Sequence, residues 1–358
     1  MDIARQRLTR TFLTARPFTS AREVVRALGA VQAQDYDGAK WAISQRTVGL
    51  TDAAIEREID SGEVIRTHVL RPTWHFVDPL DLRWMLELTG PSVIKRMAPY
   101  NRQLELDDKT LVRTNRIIER ALRDGETLTR QELRQQLGRA RIGDLGSPRL
   151  GHIIFHAELT RIVCSGPRRG KQFTYALIDE RAPNAATRDH DEALHDLTLR
   201  YFRTRSPATA SDFGWWSGLP MADVRRGIDM ASSELERVTL QGQAYWTMGE
   251  RMARPRPSAC LLPNYDEFFI GYRDRSAIGQ RLNSTKIVTG GSALIGNVIV
   301  VDGQLVGGWR RSIGKDAVTL SLDIQAPLTA AEAKRLRGEI RRYCSFMGVP
   351  VATTGWPE

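Results

Sequence analysis

Gln32, Ala33, Gln34 and Asp35 bring two carboxamides and a carboxylate together within four residues of a 358-residue chain. They follow an apolar-periodic helix that stops near Gly29 and precede a second helix carrying Trp41. In an extended stretch, side chains at i and i+2 face the same way. Gln32 and Gln34 then share a face, and Asp35 points opposite to Gln34. Two readings stay open on the residues alone: a polar connection between helices, or two amide dipoles presented side by side.

The other signatures with chemical content are incomplete. Gly166-Pro-Arg-Arg-Gly170-Lys-Gln172 has one residue too few between its glycines for a phosphate loop, and Gln where Ser or Thr must hold magnesium. His156-Ala-Glu158 supplies half of a zinc-deaminase signature, without the Pro-Cys-x-x-Cys that brings the remaining ligands. His152 and His156 share a helical face at i, i+4, but no Glu follows the first of them. Ser312-Ile-Gly-Lys315 matches Ser-x-x-Lys without its partner motifs. The cysteines, at 164, 260 and 344, are odd in number and far apart, which supports neither a disulfide framework nor a zinc cage. No metal and no organic cofactor is expected.

Composition sets the class. Hydrophobic residues at 41% and charged residues at 26% are those of a globular protein, which excludes a disordered tail or a fibre. No apolar run reaches the roughly 20 residues of a membrane helix, and the amino terminus lacks the pattern of a secretory signal, so a cytoplasmic protein is expected. The formal net charge is +10, and of 52 basic residues seven are Lys and 45 are Arg. Arg grips phosphate bidentately, which favours a nucleic-acid partner. A coding bias toward Arg gives the same excess, and charge alone does not separate the two.

The elements that must position these residues recur along the chain. A Ser/Thr cap with Glu three residues on opens helices at 18–28 (Ser20, Glu23) and 127–137 (Thr129, Glu132), and a Thr/Ser start recurs at 208–220. A hairpin follows each. The first, at 63–79, turns at Leu70, Arg71 and Pro72; the second flanks Arg168, Arg169 and Lys171; the third runs from 236 to 248. Helices followed by a hairpin make a winged helix. The expectation is an α+β, mostly helical chain of three tandem winged-helix units: 1–100, 101–185 with a basic wing, and 186–358. The last adds a C-terminal α/β extension, a strand meander turning at Asp302-Gly303 and a helix over 329–346, packed on the third unit.

Gln32-Ala33-Gln34, RPTWHFV at 71–77, LLPNYDEFFIGYRDRS at 261–276 and VVDGQLVGGWRR at 300–311 are spaced over nearly the whole chain. In these stretches the chain resembles the AlkZ-like family of winged-helix DNA glycosylases, whose hallmark is a Gln-Φ-Gln motif with Φ apolar. Φ here is Ala33, smaller than the bulkier residue expected, and Gln34 is kept where a related branch carries Asp. The resemblance implies three tandem winged helices forming a concave cleft for duplex DNA, and excision of N7-alkylated purines, including cross-linked ones.

Two glutamines suffice for that chemistry in principle. An N7-alkylated purine already carries positive charge and leaves without a strong acid. What remains is to place a water at the anomeric carbon and to stabilise an oxocarbenium ion, and carboxamide oxygens can do both. Gln32 and Gln34 are therefore the first catalytic candidates and Asp35 the third. No Lys is poised for a Schiff base, which implies a monofunctional enzyme leaving an abasic site. Lys40, nearest in sequence, is assigned to a salt bridge. Arg168, Arg169 and Lys171 on the second wing are candidates for phosphate contact, with Arg71 and His75 in the first unit and Arg310 and Arg311 after the Asp302-Gly303 turn. Arg311 has Asp302 and Asp316 as alternative partners, and Trp215 and Trp216 are read as core. The expected partner is double-stranded DNA carrying alkylated purines, bound by a monomer away from membranes. A non-catalytic winged-helix DNA-binding protein, such as a dimeric transcription regulator, is the rival reading.

Overall fold

A computed structural model of the protein describes residues 2–249, 256–282, 296–314 and 317–355. Within them the chain is a helix-rich α+β protein that divides into two compact units. One holds residues 1–56, 195–216 and 221–358; the other holds 57–194 and 217–220.

In the first unit the helix Ala21–Leu28 opens with the anticipated capping box, Ser20 accepting from the Glu23 amide while Glu23 accepts from the Ser20 amide. Val24, Val25 and Leu28 are buried on one face, and Gly29 ends the helix at φ +81, a conformation that glycine adopts without strain. The C-terminal part is a five-stranded sheet in the spatial order Val351–Thr354, Val318–Ile324, Gln304–Ile313, Asn297–Val301, Ala259–Leu262. Only the pair formed by Val318–Ile324 and Val351–Thr354 is parallel. Asp302 and Gly303 make the tight turn with φ +49 and +84, the double left-handed geometry of a two-residue hairpin. The helix Ala330–Met347 covers the sheet through Leu336, Tyr343 and Phe346. Within this unit Trp215, on the helix Ala210–Ser217, donates to the Ile270 carbonyl at 3.0 Å. Sequence order does not foretell the other contact. Ala4, Leu8 and Leu13 of the N-terminal segment share one core with Cys260, Leu262, Phe268, Val298 and Leu305.

In the second unit, strands Ile65–His68 and Trp74–Val77 pair antiparallel around the Leu70-Arg71-Pro72 turn. A 22-residue helix, Leu82–Gln103, then leads to helices Asp108–Ala121, Arg130–Arg139 and Ser147–Leu159. The second hairpin, Val163–Ser165 with Thr174–Leu177, is extended by Leu128–Thr129. Leu111, Ile118, Leu133, Leu137, Ile153, Ile154 and Val163 form its core. A Cβ at Gly90 would come within 3.1 Å of the Leu159 carbonyl oxygen, so a glycine lets the long helix run close to its neighbour. No helix among the described residues is long and apolar enough to cross a membrane.

Candidate active site

The glutamine segment is short and held from several sides within the first unit. Val31 and Gln32 form a two-residue strand, Ala33 is fully buried, and Asp35 caps the helix Tyr36–Ser44 by accepting from the Gly38 amide at 3.1 Å. The two carboxamides differ in exposure: Gln32 is 4% exposed, whereas Gln34 is open to solvent. The small Ala33 side chain suits its fully buried position, where a bulkier residue would require more room.

What braces the segment comes from far along the chain. The Gln32 amide donates to Glu267 Oε1 at 3.0 Å. Glu267 Oε2 accepts from Trp216 Nε1 at 2.9 Å and from the buried Arg205 guanidinium. Arg205 in turn donates to the carbonyl oxygen of Leu28 at 2.9 Å and of Ala30 at 3.5 Å, at the end of the preceding helix. One buried ion pair thus holds both the helix end and the Gln32 backbone. A second lies beside it: Arg46 grips Asp266 through two bonds of 2.8 and 2.9 Å and also donates to the Thr11 carbonyl. Burial opposes the Arg46 charge, but Asp266 outweighs it, and the guanidinium is held more firmly protonated than usual. Trp41 Nε1 and Trp309 Nε1 donate to the Leu261 and Leu262 carbonyls at 2.7 and 2.9 Å.

Asp35 is engaged twice. Besides capping, it accepts from Arg311 at 3.1 Å, a partner that the sequence did not suggest; of the two expected for Arg311, Asp302 bonds Arg335, and Asp316 lies outside the described residues. The correction has a physical reason, because strand pairing carries Arg311 away from the Asp302 turn and the fold brings the helix cap to it. Burial works against the Arg311 charge, and Tyr343 and Asp35 more than offset it. Lys40 is surrounded by Asp37, Asp52 and Glu56 at 3.5, 2.9 and 2.8 Å. Burial opposes its charge, but Glu56 and Asp52 prevail and hold it as ammonium, a poor nucleophile.

The expected DNA-contact residues fall in both units. Arg310 is exposed on the same strand as Arg311. The others belong to the second unit. Arg71 is buried at its turn, and His75 is fully buried with Nδ1 at 2.9 Å from the Thr73 carbonyl oxygen, so neither presents an open surface. Trp74, its neighbour, stacks instead against His68 and Arg66. On the second wing Lys171 is exposed and Arg168 lies over Phe173, while Arg169 is pinned to Glu132 by bonds of 2.6 and 3.0 Å. That guanidinium, and the Thr129 amide, pull the Glu132 carboxyl down to about 2. Trp216 is core as expected, whereas Trp215 is 41% exposed. His156 bonds Asn115 and His152 bonds Asn101, and neither histidine meets Glu158. Of the incomplete signatures, Ser312 is described and its Lys315 is not.

Sequence reasoning singled out neither Arg205 nor Arg46, and it treated Asp266 and Glu267 only as part of a matching stretch. The one local hint was an Asp-Glu pair inside an otherwise apolar run, where charge is rarely buried without a partner.

The family model described as DNA glycosylase AlkZ-like matches residues 25–346, and the chain belongs to that family of DNA glycosylases. Among its relatives is the interstrand DNA cross-link repair glycosylase of Streptomyces sahachiroi, 27% identical over 330 residues, with 85% of each chain covered. The solved structure of Streptomyces sahachiroi DNA glycosylase AlkZ superposes with a TM-score of 0.81 over 99% of this chain and 98% of that one, at 21% identity.

Proposed function

We propose that the protein hydrolyses the N-glycosidic bond of N7-alkylated purines in duplex DNA, as a cytoplasmic, monomeric and monofunctional enzyme. The reading extends to interstrand cross-links, in keeping with what the Streptomyces sahachiroi relative is named for. The observation that carries it is the placement of Gln32 and Gln34 on a segment whose backbone is tied to a buried Arg205–Glu267 pair. Such preorganisation lets amide dipoles act without reorganising as charge develops.

In the reaction, Gln34, the exposed carboxamide, accepts from a water and orients it toward the anomeric carbon. Gln32 directs its dipole at the oxocarbenium ion. The water oxygen bonds to the anomeric carbon and releases one proton to solvent, the bond to the purine N9 breaks, and its electron pair neutralises the cationic ring. An undamaged purine lacks that charge and leaves slowly, which gives selectivity. Asp35, held by the Gly38 amide and Arg311, contributes a fixed negative charge at the segment. Arg168, Lys171 and Arg310 take backbone phosphates, and Arg71, His75, Arg169 and Arg311 support the surfaces that carry them. The runs 1–100, 101–185 and 186–358 are read as three tandem winged helices, supported in the middle one by helices Asp108–Ala121, Arg130–Arg139 and Ser147–Leu159 followed by a hairpin.

The test is release of 7-methylguanine from methylated duplex, with alkali revealing abasic sites. Gln32→Ala and Gln34→Ala are each expected to lose about a hundredfold in rate while retaining duplex affinity. Absence of release by the wild type from both methylated and cross-linked duplex overturns the substrate assignment, and undiminished rates in both variants overturn the glutamine mechanism.

A further inference from the structure

The second unit contains a cavity of about 270 Å³ whose lining includes Trp74, Met97, Phe155, Tyr175, His68 and Glu158. Glu158 is fully buried. Its Oε2 meets His68 Nδ1 at 2.6 Å, and its Oε1, also buried, has no hydrogen-bond partner among the described residues. A buried carboxylate oxygen left without a donor is expensive, and such atoms are seldom kept without a function. The aromatic wall is fixed as well. The Trp74 ring lies 3.9 Å from that of His68, with the Arg66 guanidinium 4.2 Å from its centroid, and Phe155 meets His68 edge-on at 4.4 Å. Arg130, the nearest full positive charge on the lining, is turned to the carbonyl oxygen and hydroxyl of Ser147.

We propose that this cavity binds a guanine-type purine, stacked against Trp74 with its N1–H and 2-amino donors on Glu158 Oε1. The aromatic lining favours a flat aromatic ligand, and the oxygen calls for donors. One carboxylate oxygen accepts two hydrogen bonds, and the guanine edge offers two neighbouring N–H groups. Adenine turns a ring acceptor toward the same place beside its single amino group, and a site built to receive donors rejects it. The choice of purine rests on the substrate class proposed above; the choice of residues does not. A released base and a base still attached to DNA carry the same edge.

Calorimetric titration of the full chain with free 7-methylguanine, adenine and a duplex containing 7-methylguanine tests the assignment. The wild type is expected to bind 7-methylguanine at least tenfold more tightly than adenine. Glu158→Gln is expected to weaken that binding at least tenfold. Gly151→Leu, on the lining where a Cβ meets only the end of the Arg130 side chain, fills the cavity and is expected to do the same without disturbing the carboxylate. Melting curves establish that both variants are folded. Weakened binding of the free base alone assigns the pocket to the released product, and weakened binding of the duplex as well assigns it to the attached lesion. Equal affinities across wild type and both variants, or equal affinity for adenine, overturn the proposal. If the wild type excises 7-methylguanine in that case, the glycosylase reading stands alone. Binding without excision leaves the pocket standing and overturns the substrate assignment instead.

Discussion

Glu267 carries more of the site than its place in the chain suggests. Its two oxygens receive the Gln32 amide, the Trp216 indole and the Arg205 guanidinium, all within a fully buried setting. Removing one member leaves an uncompensated buried charge, whereas replacing both by apolar groups does not. Glu267→Leu is therefore expected to lower unfolding stability by about 3–5 kcal/mol, measured by urea denaturation. The pair Arg205→Met with Glu267→Leu should recover a large part of that loss while excision stays low, because the Gln32 amide has lost its acceptor. A double variant no more stable than Glu267→Leu would show that the ion pair is not the source of the stability. At this scale the catalytic candidates were legible from the sequence because three adjacent residues spell them out. Their brace was not, since Gln32 and Glu267 stand 235 positions apart.

At the scale of elements, two caps decide how functional groups are offered. A Cβ at Gly38 would fall 2.4 Å from Asp35 Oδ2, so Gly38→Ala must push the capping carboxylate aside. The expected cost is about 1 kcal/mol of stability from the lost cap, together with a fall in excision as the Asp35–Arg311 tie is broken. An unchanged melting temperature would sink this account. The second cap works against DNA contact. Glu132 closes the capping box at Thr129 and also holds Arg169 of the wing. Because its carboxyl is held near 2, this ion pair is present above the ordinary carboxylate pKa and is lost only as pH falls toward 2. At neutral pH Arg169 is therefore engaged. Glu132→Gln keeps a capping-box residue and removes the carboxylate from Arg169, which then keeps only its bond to the Thr127 carbonyl oxygen, and duplex affinity is expected to rise severalfold with a salt slope steeper by about one. Salt titration by fluorescence anisotropy reads both, and an unchanged slope would remove Arg169 from the interface. Both capping boxes were readable because Ser20, Glu23, Thr129 and Glu132 act within one helical turn. The engagement of Arg169 was not, because the sequence presents it simply as one of three cations on a loop.

The charge of the whole molecule reads differently once its arginines are placed. Arg7, Arg46 and Arg205 are buried and bonded to carboxylates or backbone carbonyls inside the first unit, so part of the arginine excess maintains the fold. This resolves in part the ambiguity that composition left between a coding bias and a polyanion partner. Stability of the molecule should also depend on pH through the second unit. Burial holds His152 and His156 below the ordinary imidazole range. The unfolded chain then takes up protons first as pH falls below about 6.5, and stability declines from there down to the depressed folded values. Thermal melts from pH 7.5 to 5 are expected to show that decline, and the double variant His152→Gln with His156→Gln should flatten it. A wild-type melting temperature constant over that range would contradict the burial argument.

By itself the sequence determined the features that act over short range. Caps at Ser20 and Thr129, the Gly29 stop, the Asp302-Gly303 turn and the Gln32-Ala33-Gln34 run each depend on residues within a few positions, where φ preferences and local hydrogen bonds dominate. The family was legible for a related reason, since its matching stretches are contiguous. Tertiary structure alone decided which distant groups meet: Arg311 with Asp35, Arg46 with Asp266, Glu158 with His68, and the N-terminal helix with the C-terminal sheet. These pairings arise from burying apolar faces against one another, and a charge drawn into such an interface takes whichever opposite charge the packing brings within reach. No local pattern encodes that choice.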